Sequence, residues 1–187
     1  MKHFLIVSVL VVVVTLLVIL GLNAVELTPQ LASEEGALVD QMFQWQVYVI
    51  SFIFALIMVI VLYSVVVFRR KPGETGDGAY VTGNTLLEIT WTLVPLGVVM
   101  GFGVMGAVQL SDMTAMEADE LVVEVTGFQF GWRFDYPDHD VASPDLYLPL
   151  GRPVRFKITS SDVIHSFWVP EFRIKQDAVP GMWTTLR

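Results

Sequence analysis

No cysteine occurs anywhere in the 187 residues. That excludes a disulfide framework, a zinc finger and a thiolate nucleophile within this stretch of chain. Charge is scarce as well, at 16% Asp, Glu, Lys and Arg, where a soluble domain carries about a quarter. Basic residues are the rarer sign, 11 against 19 acidic, for a net charge of −8 and a pI near 4.7. A nucleic-acid binder needs a basic face, so that class is set aside. Histidine appears only three times, which still leaves room for a metal held by His, Met or carboxylate. Hydrophobic residues fill the gap, at 54% with a mean hydropathy of +0.62, too much for a simple soluble globule.

These residues gather into three runs without a single charge: Phe4–Leu22, Trp45–Phe68 and Ile89–Leu110. As helices rising 1.5 Å per residue they would reach roughly 28–36 Å, enough to cross a bilayer core of about 30 Å. The second and third runs are read as a transmembrane helical hairpin over residues 45–110. The first resembles a secretory signal in its lone Lys2, but a signal core is usually about 7–15 residues. Leu22 is also large where a cleavage site after Ala24 would want a small residue. Residues 1–22 are therefore expected to be an uncleaved anchor, with a cleaved signal peptide as the rival.

Arg69, Arg70 and Lys71 form the one basic cluster beside a span, and such clusters stay cytoplasmic. Residues 23–44 carry Glu26, Glu34, Glu35 and Asp40 without a Lys or Arg, as suits an outer segment. The cytoplasmic loop is then 69–84, and everything after Leu110 lies outside. Thr85 and Glu88, three apart before an apolar run, predict a capping box that starts the next helix. Pro95 with Gly97, Gly101, Gly103 and Gly106 is expected to loosen or kink that helix and let another helix approach closely.

After Leu110 the pattern becomes alternation. In Leu121–Tyr136 the rings Phe128, Phe130, Trp132, Phe134 and Tyr136 fall at every second position, predicting a strand with an aromatic face. Asp145–Gly151 and Pro153–Thr159 alternate likewise, with Val154, Phe156 and Ile158 on one side. Short strands divided by Pro, Gly and Asp turns predict an antiparallel sandwich or barrel over 111–187. Those 77 positions fall short of the roughly 100 residues of a sandwich, so the domain is expected to be incomplete at its C-terminus.

His165 stands in the run His165-Ser166-Phe167-Trp168-Val169-Pro170, followed by Lys175-Gln176-Asp177-Ala178-Val179-Pro180-Gly181. With Glu88-Ile89-Thr90-Trp91-Thr92-Leu93-Val94-Pro95 and Val125-Thr126-Gly127-Phe128-Gln129, these stretches resemble subunit II of the haem–copper cytochrome c oxidases over about residues 40–187. The resemblance implies a transmembrane helical hairpin carrying a cupredoxin-like β-barrel on the outer side of a bacterial-type plasma membrane. It implies a dinuclear copper centre (Cu-A) that takes electrons from cytochrome c and passes them to subunit I. There haem and copper reduce O2 and protons are pumped, so haem belongs to the partner. Subunit I, other oxidase subunits, cytochrome c and membrane lipid are the partners implied.

Carried over by position, His165 matches the first histidine ligand of that copper. The cysteine pair and the other ligands are expected beyond Arg187, and Met182 comes too early to match the methionine. The alternative is a copper-free subunit of the quinol-oxidase type. Phe130 stands where many relatives have the electron-accepting tryptophan, and Trp132 is retained two residues on. Trp132 is read either as part of the electron path or as core; Phe128 and Phe134 are read as core. Glu88 is read as a helix-starting residue or as the mouth of a proton channel into subunit I. The domain from Asp112 on has 12 acidic and 7 basic residues, and Asp135, Asp138, Asp140 and Asp162 are expected to dock a basic cytochrome c.

Overall fold

The computed structural model describes residues 1–78 and 80–187. Ala79, in the expected cytoplasmic loop, lies outside the described residues. The chain divides into two units, Met1–Leu27 with Val39–Gly103, and Thr28–Leu38 with Val104–Arg187.

Three helices follow the apolar runs: α1 (Lys2–Asn23), α2 (Glu34–Val67) and α3 (Thr85–Met113). In hydrocarbon every backbone N–H and C=O must be satisfied within its own segment, and a helix does that. All three are long and apolar enough to cross a membrane. α2 starts well ahead of its apolar run, because Ser33 Oγ accepts the Gly36 N–H at 3.0 Å and caps it. Glu34 and Glu35 then sit in the first turn, where the helix dipole favours negative charge.

α3 starts at Thr85 as expected, but its cap is not the predicted one. The capping oxygen is Asn84 Oδ1, which accepts the Leu87 N–H at 3.1 Å, while the Asn84 carbonyl accepts the Glu88 N–H at 2.9 Å. Asparagine is at least as good a cap as threonine and stands one residue earlier. Glu88 thereby falls one position past the place a capping box requires, and its side chain is exposed. α3 is assigned as a single helix through Pro95, and added methyl groups at Gly97, Gly101 and Gly103 would meet open space.

The second unit carries β1 (Leu121–Phe128), β2 (Gly131–Tyr136), β3 (Val141–Ser143), β4 (Val154–Ser160), β5 (His165–Val169), β6 (Ile174–Ala178) and β7 (Thr184–Leu186). Five form one sheet in the order β3-β2-β1-β4-β7, and β5-β6 form a second. β1 and β4 run parallel; the other pairs are antiparallel. Val123, Val125, Phe134, Phe156 and Ile158 of the larger sheet are buried, and Phe167 of β5 closes over them. Its ring lies 5.3 Å from Phe156 and 6.2 Å from Phe134, so this one side chain joins the two layers.

Leu121–Tyr136 is a tight hairpin rather than one strand. Gln129 and Phe130 form its turn, and Val125 pairs with Phe134, Gly127 with Trp132. Partners across a ladder share a face, so the inward set changes from odd residues in β1 to even ones in β2. Phe134 is core at 6% exposure, as expected, whereas Phe128 is turned outward at 39% and Phe130 stands in solvent at 97%. Asp145–Gly151 forms no strand among the described residues. Its Leu146 and Leu148 do pack on the core, and Tyr136 substitutes for a ladder neighbour. The Tyr136 hydroxyl donates to the Tyr147 carbonyl at 2.9 Å and accepts the Tyr147 N–H at 2.8 Å.

A buried carboxylate closes the base of the larger sheet. Glu120, 7% exposed at its side chain, accepts from Arg187 Nε at 2.9 Å and faces Arg155 Nε at 3.3 Å. Burial alone pushes its pKa up, but the Glu117 N–H and the two guanidinium groups outweigh that and hold it below the usual carboxylate range.

Candidate functional site

β4 ends at Ser160, β5 begins at His165, and the connecting turn is organised by Asp162. One Asp162 oxygen accepts the Gln129 N–H of the β1–β2 turn at 2.7 Å. The other accepts the Val163 N–H at 2.7 Å and faces His165 Nε2 at 2.7 Å. Ser160 Oγ donates to that oxygen at 3.2 Å and also bonds the Val163 carbonyl. One carboxylate thus ties together two connections that are far apart in sequence, and orients an imidazole. The His165 hydrogen bond holds Asp162 far below the usual carboxylate range, helped by the Val163, Gln129 and Ser160 donors against desolvation.

The ring of His165 lies over Gly127. A methyl group there would stand 3.0 Å from Trp132 Cζ3 and 3.1 Å from His165 Cδ2. Glycine in a strand often marks such a close approach. Trp132 packs edge-on against His165 at 5.9 Å and against Phe167 at 5.6 Å and is partly buried, whereas Phe130 is exposed. His165 keeps 20% of its side chain exposed. A proton on Nε2 shared with Asp162 leaves the lone pair on Nδ1, the arrangement by which a carboxylate prepares a histidine to hold a metal.

Trp132, His165 and Asp162 are brought together; the other residues singled out from sequence are not. Asp135 is clasped by Arg133, whose Nε and Nη2 reach its oxygens at 2.7–3.0 Å. Asp138 and Asp140 are exposed in and after the 3-10 turn Pro137–His139, at the far end of β2 from His165. β2 holds six residues, which puts about 20 Å between the two ends. Asp138 and Asp140 therefore stand apart from the histidine, whereas Asp162 lies against it. Glu88 lies in the first turn of α3, in the helical unit.

Sequence reasoning missed the part played by Asp162 and Gly127. The three-residue step from Asp162 to His165 and a lone glycine inside an alternating strand were the available signals.

Residues 26–106 match the family model described as cytochrome c oxidase subunit II, transmembrane domain, and residues 140–186 the model for its periplasmic domain. A cytochrome c oxidase subunit 2 of Thermostichus vulcanus is 33% identical over 85% of this chain and 65% of its own length. One of Synechocystis sp. is 30% identical over 86% of this chain and 62% of its own. A quinol oxidase subunit 2 of Bacillus subtilis is 28% identical over 86% of this chain and 52% of its own. The chain thus spans less than two thirds of the length of these relatives.

Proposed function

Because the chain belongs to the cytochrome c oxidase subunit II family, we propose that it serves a respiratory oxidase as the subunit that receives electrons from cytochrome c. It is a membrane protein with its C-terminal domain on the outer side. The observation that carries the proposal is His165, held by Asp162 and packed on Trp132 beside the exposed β1–β2 turn.

In that role His165 offers one imidazole to a dinuclear copper centre. The donor set does not make up the whole centre: there is no cysteine in these residues, and no three His, Asp or Glu side chains converge among those described. Two soft coppers need bridging thiolates, which these residues do not supply. What the chain itself does is narrower. Asp162 fixes the imidazole, Gly127 admits it against the sheet, and Trp132 packs between it and the aromatic core. Subunit I is the proposed neighbour of the open glycine face of α3. Glu88, no longer needed as a cap, is proposed to gather protons at the cytoplasmic end of that helix.

The second reading is a copper-free subunit of a quinol oxidase, favoured by the relative of that name. Metal analysis of the oxidase purified with this subunit separates the two. Two coppers on the subunit, with a near-infrared band that His165→Ala removes while the haem spectra persist, support the first reading. No copper on the subunit and intact quinol oxidation in His165→Ala would establish the second.

A further inference from the structure

We propose that residues 2–23 stay in the mature protein as a third membrane-spanning helix, seated on a seam of α2. The argument rests on sidedness. On α1, Val7, Val11, Val14, Val18 and Leu22 are shielded relative to the rest of the helix, at spacings of three and four. Leu5, Leu16, Leu17 and Leu20 point away at 54–68% exposure. α2 shows a matching stripe of Gln44, Val47, Ser51, Ala55, Val59 and Tyr63. Ser51 and Ala55 are 1% and 0% exposed and Val11 5%, so these side chains are covered. Such spacing marks a helix–helix seam made by side chains.

Both ends of the seam are tied by polar groups. His3 Nδ1 lies 2.7 Å from the Tyr63 hydroxyl, and its ring also meets Phe68 at 5.4 Å. At the other end Gln44 Nε2 donates to Asn23 Oδ1 at 3.5 Å. Twenty residues separate His3 from Asn23 and nineteen separate Gln44 from Tyr63, so antiparallel helices meet both partners at once. Lys2 then lies at the same end as Arg69–Lys71, as one cytoplasmic face requires. A leader destined for removal needs only an apolar core. It has no use for a valine-lined stripe, a leucine-rich opposite face and a polar partner at each end.

Two measurements on the assembled oxidase test this. Intact mass and N-terminal sequencing of the subunit should find residues 2–23 present; a mature chain starting at Ala24 or later overturns the proposal. The helices carry no native cysteine, so introduced pairs report cleanly. After oxidation, Val11→Cys with Ala55→Cys should keep α1 attached when a protease site placed within residues 24–28 is cut. Leu17→Cys with Ala55→Cys should release it. Release in both pairs, or retention in both, shows that the seam is not formed. Neither readout involves the electron donor or copper, so the functional reading stands or falls separately.

Discussion

Gly127 illustrates how a missing side chain can build a site. Two rings occupy the space its Cβ would take, and neither is free to leave: Trp132 is wedged against Phe167, and His165 is held by Asp162. Gly127→Ala should therefore cost about 1–3 kcal/mol, as overpacking of a filled site does, and displace the imidazole. Gly131→Ala is the control, since its Cβ would meet the tip of the outward-facing Phe128 ring at 3.1 Å, which can swing into solvent. Thermal unfolding of the detergent-solubilised subunit, followed by tryptophan fluorescence, should show a lower midpoint for the first variant and little change for the second. Equal midpoints would mean that the two rings are less firmly held than their contacts indicate. His165 was legible because its motif is specific. Asp162 was read as a surface carboxylate, because sequence does not show which backbone N–H groups will converge on one oxygen.

At the scale of elements, legibility followed the range of the forces. The membrane helices could be read from composition, since lipid leaves the backbone no alternative partner. The aromatic alternation was real, but a two-residue turn reversed the chain inside it, and period-two counting continues smoothly through such a turn. β1 also pairs in parallel with β4, 33 residues away in register, a crossing no local pattern encodes. α3 starts at Thr85 as read, but its cap is Asn84 rather than Thr85, with a functional consequence. Asn84→Ala should weaken that helix start by about 1 kcal/mol and lower the yield of assembled oxidase. Glu88→Gln should leave yield unchanged and slow turnover, if the carboxylate collects protons. Haem content per milligram of membrane and oxygen consumption separate the two effects. Unaltered turnover in Glu88→Gln would remove the proton role, and the capping role cannot replace it because Asn84 already fills that position.

For the molecule as a whole, the outer domain's acidic excess bears on docking. Long-range steering depends on net uncompensated charge, and the structure distributes that unevenly. Asp135 is neutralised by a bidentate guanidinium, and Asp162 is committed to His165 and three other donors. Asp138 and Asp140 stand exposed at the opposite end of β2. A cationic cytochrome c steered by this domain should accordingly feel Asp138 and Asp140 more than Asp135. The double variant Asp138→Asn/Asp140→Asn should lower the second-order rate of cytochrome c oxidation by up to about tenfold at low ionic strength. At about 1 M salt, where the Debye length is about 3 Å, the difference should vanish. Asp135→Asn alone uncovers the Arg133 cation and should lower the rate by about a single-charge step, whereas Arg133→Gln/Asp135→Asn removes a neutral pair and should change it little. Stopped-flow rates across a salt series give the comparison. If the double variant keeps the parent's salt slope, the donor docks at the His165 end, guided by charges nearer Asp162, and the far-end aspartates are only a solvated surface.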